Sequence, residues 1–199
     1  MDFAQIRDGI VVNIISLRDS QLGEFPDCVP TNGFDVHIGD YHGQGRFYRN
    51  GKLVKTALQS ADDQLKEASS VAIAALQETC KRYNAMPSSN AGYFVAGASP
   101  WKPGTAYERF DMFEYGGVVG WVKQAHTAQD NWLPFAAGTE SLYGARPVPD
   151  EHGIYPYVYN MSASVGMKVR DGDTVYVCIQ AIDDMLWPPA QIAAHFVAE

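Results

Sequence analysis

The sequence predicts a mainly β protein with one long helix, an α+β fold built from a small N-terminal β unit, the helix and two tandem small β modules. Three observations predict this: apolar runs joined by tight-turn dipeptides, one stretch of helical periodicity, and an internal repeat in the C-terminal half. The predicted boundaries are 1–57 for the β unit, 58–86 for the helix, 87–96 for a linker, 97–148 for the first module and 149–199 for the second.

The N-terminal unit is expected to open with a β-hairpin, because Asp8-Gly9 separates the apolar runs 3–6 and 10–15. Asn50-Gly51 predicts a second hairpin, in which an aromatic strand joins a short return strand. The intervening segment 26–42 is rich in Asp, Gly and Pro, which predicts a loop.

The helix is predicted to begin with Ser60 as its N-cap and with Asp62 and Asp63 in its first turn. One narrow stripe of its surface is apolar and comprises Leu65, Ala68, Ala72, Leu76, Thr79 and Tyr83. Such a stripe packs either on the N-terminal β unit or on copies of the same helix. The segment from Met86 to Gly92 ends the helix and is typical of a flexible linker.

The C-terminal half contains a repeat with an offset of 56 residues (124 to 180), because 113–125 aligns on 169–181 without gaps. Both copies predict a strand, a glycine turn and a second strand that ends in Gln-Ala. Each is followed by a Trp and a Pro, Trp132 with Pro134 and Trp187 with Pro189. Because each module has a modest core, Trp132 and Trp187 are predicted to be structural lids over it.

The composition argues against several functions. A formal charge of −8 without a Lys/Arg cluster offers no surface for nucleic acid, and no apolar run approaches the length of a membrane span. Three cysteines, Cys28, Cys80 and Cys178, leave at least one thiol unpaired within the chain. The sequence contains no phosphate-binding loop, nucleophile elbow or metal-ligand spacing, so we expect no catalytic residues, no cofactor and no metal site.

Two strings resemble a known family. Trp101-Lys102-Pro103-Gly104 and Gln124-Ala125-His126-Thr127-Ala128-Gln129-Asp130-Asn131-Trp132-Leu133-Pro134 are similar to the chitin-binding type of carbohydrate-binding module, in the version found in bacteriophage tail and baseplate proteins. The first copy lacks the family's second-strand aromatic residue and has Gly120, whereas the second keeps Tyr176. His126-Thr127 becomes Ile182-Asp183 in the second copy. The resemblance implies that at most one copy binds sugar.

The resemblance implies a non-catalytic phage or prophage tail-fibre or baseplate component, located in the virion tail and assembled in the host cytoplasm. Its partners would be a cell-surface polysaccharide and other tail proteins, and by analogy with tail fibres it would be a homo-oligomer, a trimer. The alternative is an adaptor or assembly protein whose modules bind virion proteins, and an accessory subunit of a hydrolase is a third possibility.

Sugar-binding modules of this kind stack pyranose rings on exposed aromatic side chains. The candidate glycan-binding residues are Trp101, Tyr107, Tyr115, Trp121, Tyr157 and Tyr176. Trp121 is the candidate expected to be most exposed, because it alternates with Lys123 on one strand. Tyr155, Tyr157 and Tyr159 alternate likewise, and this stripe either docks a glycan or partner or covers the second module's core.

Overall fold

The computed structural model describes residues 1–18, 21, 23–56 and 58–199, and it divides into two compact units, Met1–Gln64 and Leu65–Glu199. Both units are built mainly of β-strands, and a long helix, α1 (Ala57–Tyr83), contributes to each. The predicted fold class, mainly β with a long helix, is confirmed.

The first unit contains a six-stranded sheet in the order β3-β1-β2-β4-β5-β6. Its strands are β1 (Asp2–Arg7), β2 (Ile10–Ser16), β3 (Cys28–Pro30), β4 (Tyr41–Gly43), β5 (Arg46–Arg49) and β6 (Lys52–Leu53). A 3-10 helix, Asp19–Glu24, follows β2. The segment 26–42 is therefore not wholly a loop, because it supplies β3, which pairs with β1, and the start of β4.

Both predicted hairpins are confirmed. Asp8 and Gly9 have φ values of 50° and 77° and join β1 to β2, and Asn50 and Gly51, with 51° and 76°, join β5 to β6. Positive φ at both central residues gives the type I′ turn that matches the right-handed twist of the flanking strands. Ala4, Val11, Val36, Phe47 and Val54 form the core beneath this sheet.

Helix α1 is capped by Thr56 rather than by Ser60. The Thr56 hydroxyl accepts the Gln59 N–H at 3.1 Å, and the Gln59 side chain accepts the Thr56 N–H at 3.0 Å, which is a capping box. This reciprocal pair fixes the helix start ahead of Ser60, so Asp62 lies beyond the first turn.

The buried face of α1 in the second unit is offset from the predicted stripe. Leu65, Ala68, Thr79 and Tyr83 are exposed, whereas the buried residues are Ser69, Ile73 and Cys80. Ile73 and Cys80 pack against a 3-10 helix, Ser89–Gly97, and against a β-hairpin of the same unit. This face of α1 therefore packs within the C-terminal half of the chain.

The predicted linker 87–96 is largely this 3-10 helix, Ser89–Gly97. Ala91 and Gly92 are buried, and the carbonyl of Pro87 accepts a hydrogen bond of 2.7 Å from the buried Arg146 guanidinium. The prediction of a flexible linker is wrong because Ala91 and Gly92 are small enough to pack closely against the rest of the unit. The polar residues that precede them in the sequence do not indicate this packing.

The second unit contains three sheets, with the strand orders β10-β7, β16-β13-β11-β9-β8 and β12-β14-β15-β17. In the first copy the strands are β7 (Ala106–Tyr107), β8 (Met112–Tyr115), β9 (Val118–Val122), β10 (His126–Thr127) and β11 (Tyr143–Arg146). In the second they are β12 (Ile154–Pro156), β13 (Met161–Ala163), β14 (Lys168–Asp171), β15 (Thr174–Cys178), β16 (Ile182–Met185) and β17 (Phe196–Ala198). A short 3-10 helix, Pro189–Gln191, precedes β17.

The repeat is confirmed by backbone pairing. Hairpins β8-β9 and β14-β15 lie 56 residues apart and share one register, with Phe113 opposite Gly120 and Val169 opposite Tyr176. The hydrogen bond from Phe110 N to Val122 O recurs from Gly166 N to Cys178 O. The ribbon β7-β10 likewise recurs as β13-β16.

The predicted boundary between 148 and 149 does not separate two independent modules. Strand β11 of the first copy pairs in parallel with β13 of the second, with Ala145 opposite Met161. Both copies lie in the same compact unit, Leu65–Glu199. The correction follows from this shared sheet, because a sequence repeat shows which segments are alike but not which strands of the two copies pair.

No helix within the described residues is long and apolar enough to cross a membrane. Cys28, Cys80 and Cys178 are free thiols, and burial raises the pKa of the Cys80 and Cys178 side chains.

Candidate aromatic binding site

Aromatic side chains from every strand of the first copy except β9 converge on one cluster, which we call the first-copy aromatic cluster. Its members are Trp101, Tyr107, Phe113, Tyr115, His126, Phe135 and Tyr143. Trp101 is held beside β8 because its backbone N–H donates to the Glu114 carbonyl at 2.8 Å. The pleat of β8 places Phe113 and Tyr115 on the same face of the sheet.

Tyr143 lies at the centre of the cluster and is fully buried. Its hydroxyl accepts a hydrogen bond from Trp101 Nε1 at 3.2 Å and lies 2.7 Å from His126 Nε2. The other ring nitrogen, His126 Nδ1, is 2.9 Å from the Gln124 carbonyl oxygen and must therefore carry the proton.

In the neutral imidazole, Nε2 is then an acceptor, so the Tyr143 O–H donates to it. The result is a continuous chain of donors from the Trp101 indole through Tyr143 to His126 and on to the backbone. Burial raises the pKa of Tyr143 and outweighs the opposing effect of the Trp101 hydrogen bond, so the phenol stays neutral and able to donate.

Five rings of the cluster are half-buried and reach the surface, among them the rings of His126 and Phe135. Trp101, Tyr107 and Tyr115 are each half-buried, and Trp101 and Tyr115 meet edge to face with their centroids 5.7 Å apart. The Tyr107 hydroxyl accepts the Lys102 N–H at 3.1 Å. Half of the six predicted ligand residues therefore lie in one cluster.

Trp121 is not exposed, contrary to the prediction. Only 7% of its surface is accessible; it stacks on Phe110 at 5.9 Å, and the Arg146 guanidinium lies 5.9 Å from its ring centroid. Its alternation with Lys123 was misleading because Lys123 is also largely buried, with its Nζ atom 3.2 Å from Asn160 Oδ1. Trp121 therefore belongs to the core beneath α1, and its indole N–H has no partner among the described residues.

The predicted lids are also placed differently. Trp132 is 36% exposed and Trp187 is 56% exposed, so neither closes a core. The first copy's core is instead filled by Phe113, Tyr143 and Phe135. The structure thus exchanges the predicted roles: the strand tryptophan is internal, and the loop tryptophans are at the surface.

The second copy lacks the hydrogen-bonded centre. Tyr157 replaces Trp101 and makes the same backbone contact, its N–H donating to the Arg170 carbonyl at 3.0 Å. Phe196 stands in the position of Tyr143, and Ile182 in that of His126. Tyr157 and Tyr176 are half-buried and pack against an apolar core, so the stripe at Tyr155 and Tyr157 serves in part to cover that core.

The aromatic side chain that is missing at Gly120 is compensated by the ring of Phe113 on the neighbouring strand. A Cβ atom there would lie 2.3 Å from the Phe113 ring, so Phe113 already fills the space. In the second copy the same cross-strand pair is Val169 with Tyr176. The aromatic ring of this cross-strand pair is therefore on the first strand in the first copy, as Phe113, and on the second strand in the second copy, as Tyr176.

Sequence reasoning missed Tyr143 and Phe135, which lie outside the repeated hairpin. The family-like string that it identified included His126 but assigned this residue no role.

Among the described residues, no group of three His, Cys, Asp or Glu side chains is arranged to hold a metal ion. Two carboxylates beside the cluster are engaged with α1: Glu108 and Asp111 both bind Lys81, at 3.1 Å and 2.9 Å.

A scan against protein-family models finds no matching family, and a search of curated proteins finds no match either.

Proposed function

We propose that this chain is a non-catalytic component of a phage-tail-type assembly that recognises a host-surface glycan through the rim of the first-copy aromatic cluster. The observation that carries the proposal is the convergence of Trp101, Tyr107 and Tyr115, all half-exposed, on a centre fixed by the buried Tyr143. The tail-type location and the assembly with other tail proteins rest on the sequence resemblance.

The chemistry of the rim suits sugars. A pyranose ring offers an apolar face of C–H bonds that stacks on an aromatic ring, while polar groups fix its orientation. The Tyr107 hydroxyl supplies one polar group, and the exposed Lys102 lies beside it. Because Trp101 is anchored through Nε1, less conformational entropy is lost when a ligand binds to it.

The charge of the chain narrows the class of glycan. A formal charge of −8 repels polyanionic polysaccharides at long range, so a neutral glycan is the better fit. The second copy has Phe196 and Ile182 in place of Tyr143 and His126 and so lacks the hydrogen-bonded centre, and we therefore assign binding to the first copy.

The adaptor alternative is favoured by one specific observation. Trp132, Leu133 and Trp187 are large, exposed and apolar, and they lie in the corresponding loops of the two copies. Exposed apolar residues of this size commonly mark protein–protein contacts. In this reading the loops bind other virion proteins and no sugar is bound.

The test is a pull-down on chitin and bacterial cell-wall polysaccharide, combined with a glycan array. We expect Trp101→Ala and Tyr115→Ala to weaken retention by about tenfold or more, a loss of about 1.4 kcal/mol. Trp187→Ala is the matched control, because it removes an exposed tryptophan from the second copy. Thermal denaturation of each variant checks that it remains folded.

The outcomes separate the two functions. If wild-type protein binds no glycan and Trp132→Ala or Trp187→Ala abolishes capture of purified tail proteins, the adaptor function replaces recognition. Mass spectrometry of purified virions tests the location, and absence of the chain from intact particles would rule out the tail assignment.

A further inference from the structure

The two copies contact each other through the pairing of β11 with β13, and the repeat contains a second pair of strands, β17 and β7, equivalent to these two. At the internal junction, β11 pairs in parallel with β13, and the Ala145 N–H donates to the Asn160 carbonyl at 3.2 Å. The partners at this junction are thus the last strand of one copy and the first ribbon strand of the next.

The outer edge of β17 is the equivalent of the β11 edge. Lys123 N donates to Leu142 O beside β11, and Ile179 N donates to His195 O beside β17, both at 2.8 Å. These bonds place Ala198, opposite Tyr176, in the position of Ala145, opposite Gly120. Among the described residues, no strand pairs with the outer edge of β17, which ends its sheet.

The outer edge of β7 is the equivalent of the β13 edge. Tyr107 pairs with His126 as Ala163 pairs with Ile182, so the two ribbons superpose in register. Whereas β13 also pairs with β11, the described part of the chain places no strand on the other side of β7. Within the described residues, the edge of β17, equivalent to that of β11, and the edge of β7, equivalent to that of β13, are therefore both unpaired.

The backbone of β17 is oriented for this pairing. Glu199 N donates inward to Val175 O at 2.9 Å. Because successive N–H groups of a strand alternate in direction, the N–H of Ala198 points outward. An outward, unpaired N–H on an edge strand is a template for strand addition.

The side chains at the two free edges are apolar or small where those at the internal junction are polar. Inside, Lys123 Nζ donates to the Glu140 carbonyl at 2.9 Å and to Asn160, which is buried. At the equivalent positions outside stand Ile179, which is 51% exposed, and Gly104. Val197, also on this edge, is 49% exposed.

Several small or apolar residues also lie at β7. Pro103, Gly104 and Ala106 are exposed on the ribbon. Apolar surface on both edges favours contact between them.

We propose that a second copy of this chain docks head to tail, with β17 of one molecule adding in parallel to β7 of the next and Ala198 lying opposite Thr105. This register is the internal one, Ala145 opposite Met161, carried over to the equivalent residues. A contact of this kind joins two different surfaces, so it generates a closed ring, such as a trimer, or an open filament. Either assembly repeats the first-copy aromatic cluster and raises avidity for a surface.

The first test is sedimentation velocity of the full chain from about 1 μM to about 1 mM, the range in which weak contacts populate. We expect the average mass to rise with concentration. Ala198→Pro removes the outward N–H at a position where an edge strand tolerates proline, and Val197→Lys adds a charge to the same edge. Both variants are expected to be monomeric, whereas the matched control Val165→Lys, in an exposed turn, associates like wild type.

The second test establishes the direction of the contact. In a Cys28→Ser background, Thr105→Cys and Ala198→Cys variants are treated with a short bis-maleimide, separately and as a mixture. Head-to-tail docking gives cross-linked dimer in the mixture and little in either variant alone. Wild-type protein that is monomeric throughout, association unchanged by Val197→Lys, or cross-linking within a single variant would each overturn the proposal.

Discussion

Replacing Tyr143 by phenylalanine removes a single oxygen from the centre of the first-copy aromatic cluster. That oxygen accepts the Trp101 indole N–H at 3.2 Å and bonds to His126 Nε2 at 2.7 Å. The ring itself remains, packed against Phe113 with a centroid distance of 5.4 Å. The change therefore isolates the hydrogen bonds from the apolar packing.

The expected cost follows from counting the groups left without partners. Each hydrogen bond contributes about 1 kcal/mol net, and a buried partner left unsatisfied costs about 1–3 kcal/mol. Trp101 and His126 are both half-buried, so each loses one hydrogen-bond partner without being fully shut off from water. We expect Tyr143→Phe to lower the free energy of unfolding by about 2 kcal/mol.

The second copy supplies the matched rescue, because Phe196 and Ile182 occupy the equivalent positions. The double variant Tyr143→Phe/His126→Ile should cost less than the two single changes together, with a coupling of at least about 0.5 kcal/mol. Urea denaturation followed by fluorescence measures each value, and Tyr83→Phe, at an exposed tyrosine, is the control. Equal stability of Tyr143→Phe and wild type, or strict additivity, would refute the hydrogen-bonded chain.

Three further changes test other parts of the structure. Trp121→Ala should lower the free energy of unfolding by about 3–5 kcal/mol in chemical denaturation, because it empties a core site, and a midpoint near wild type would place Trp121 outside the core. Gly120→Ala forces a methyl group against Phe113 and should cost about 1–3 kcal/mol by the same assay, whereas a neutral result would contradict the packing. Burial disfavours the charged form of Asp40, but hydrogen bonds from Arg49 and from a backbone N–H outweigh burial and lower the pKa of this carboxyl. The charged carboxylate therefore stabilises the fold above about pH 4, and this stabilisation is lost as the pH falls through the lowered pKa. Circular dichroism of wild type and Asp40→Asn should therefore show less acid sensitivity in the variant, and identical pH profiles would refute this.

Local features of the chain were predictable because their causes are local. Asp8-Gly9 and Asn50-Gly51 specify their turns through conformations that few residues adopt, and the repeated hairpins follow from similar residues 56 positions apart. Helical periodicity located α1, and its cap is legible in the sequence as Thr56 followed three residues later by Gln59, although Ser60 was predicted instead.

The exposure of individual aromatic residues was not predictable from alternation. Strand periodicity assigned Trp121 and Lys123 correctly to one face, but that face is covered by α1 and by the junction with the second copy. Burial at these positions is decided by elements distant in sequence. Tyr143 escaped notice for the same reason, since its significance depends on the side chains of Trp101 and His126 brought to it by the fold.

The pairing of β11 with β13 also bears on how this protein is made. Chains begin to fold from the N-terminus during synthesis, and β11, which ends at Arg146, is made before β13, which begins at Met161, is available to pair with it. Until then β11 presents the bare edge that Met161 later covers, beside the small side chain of Ala145. Fragments that stop near residue 148, whether from stalled translation or from protein engineering, would keep that edge open and offer it to the β13 segment of another chain.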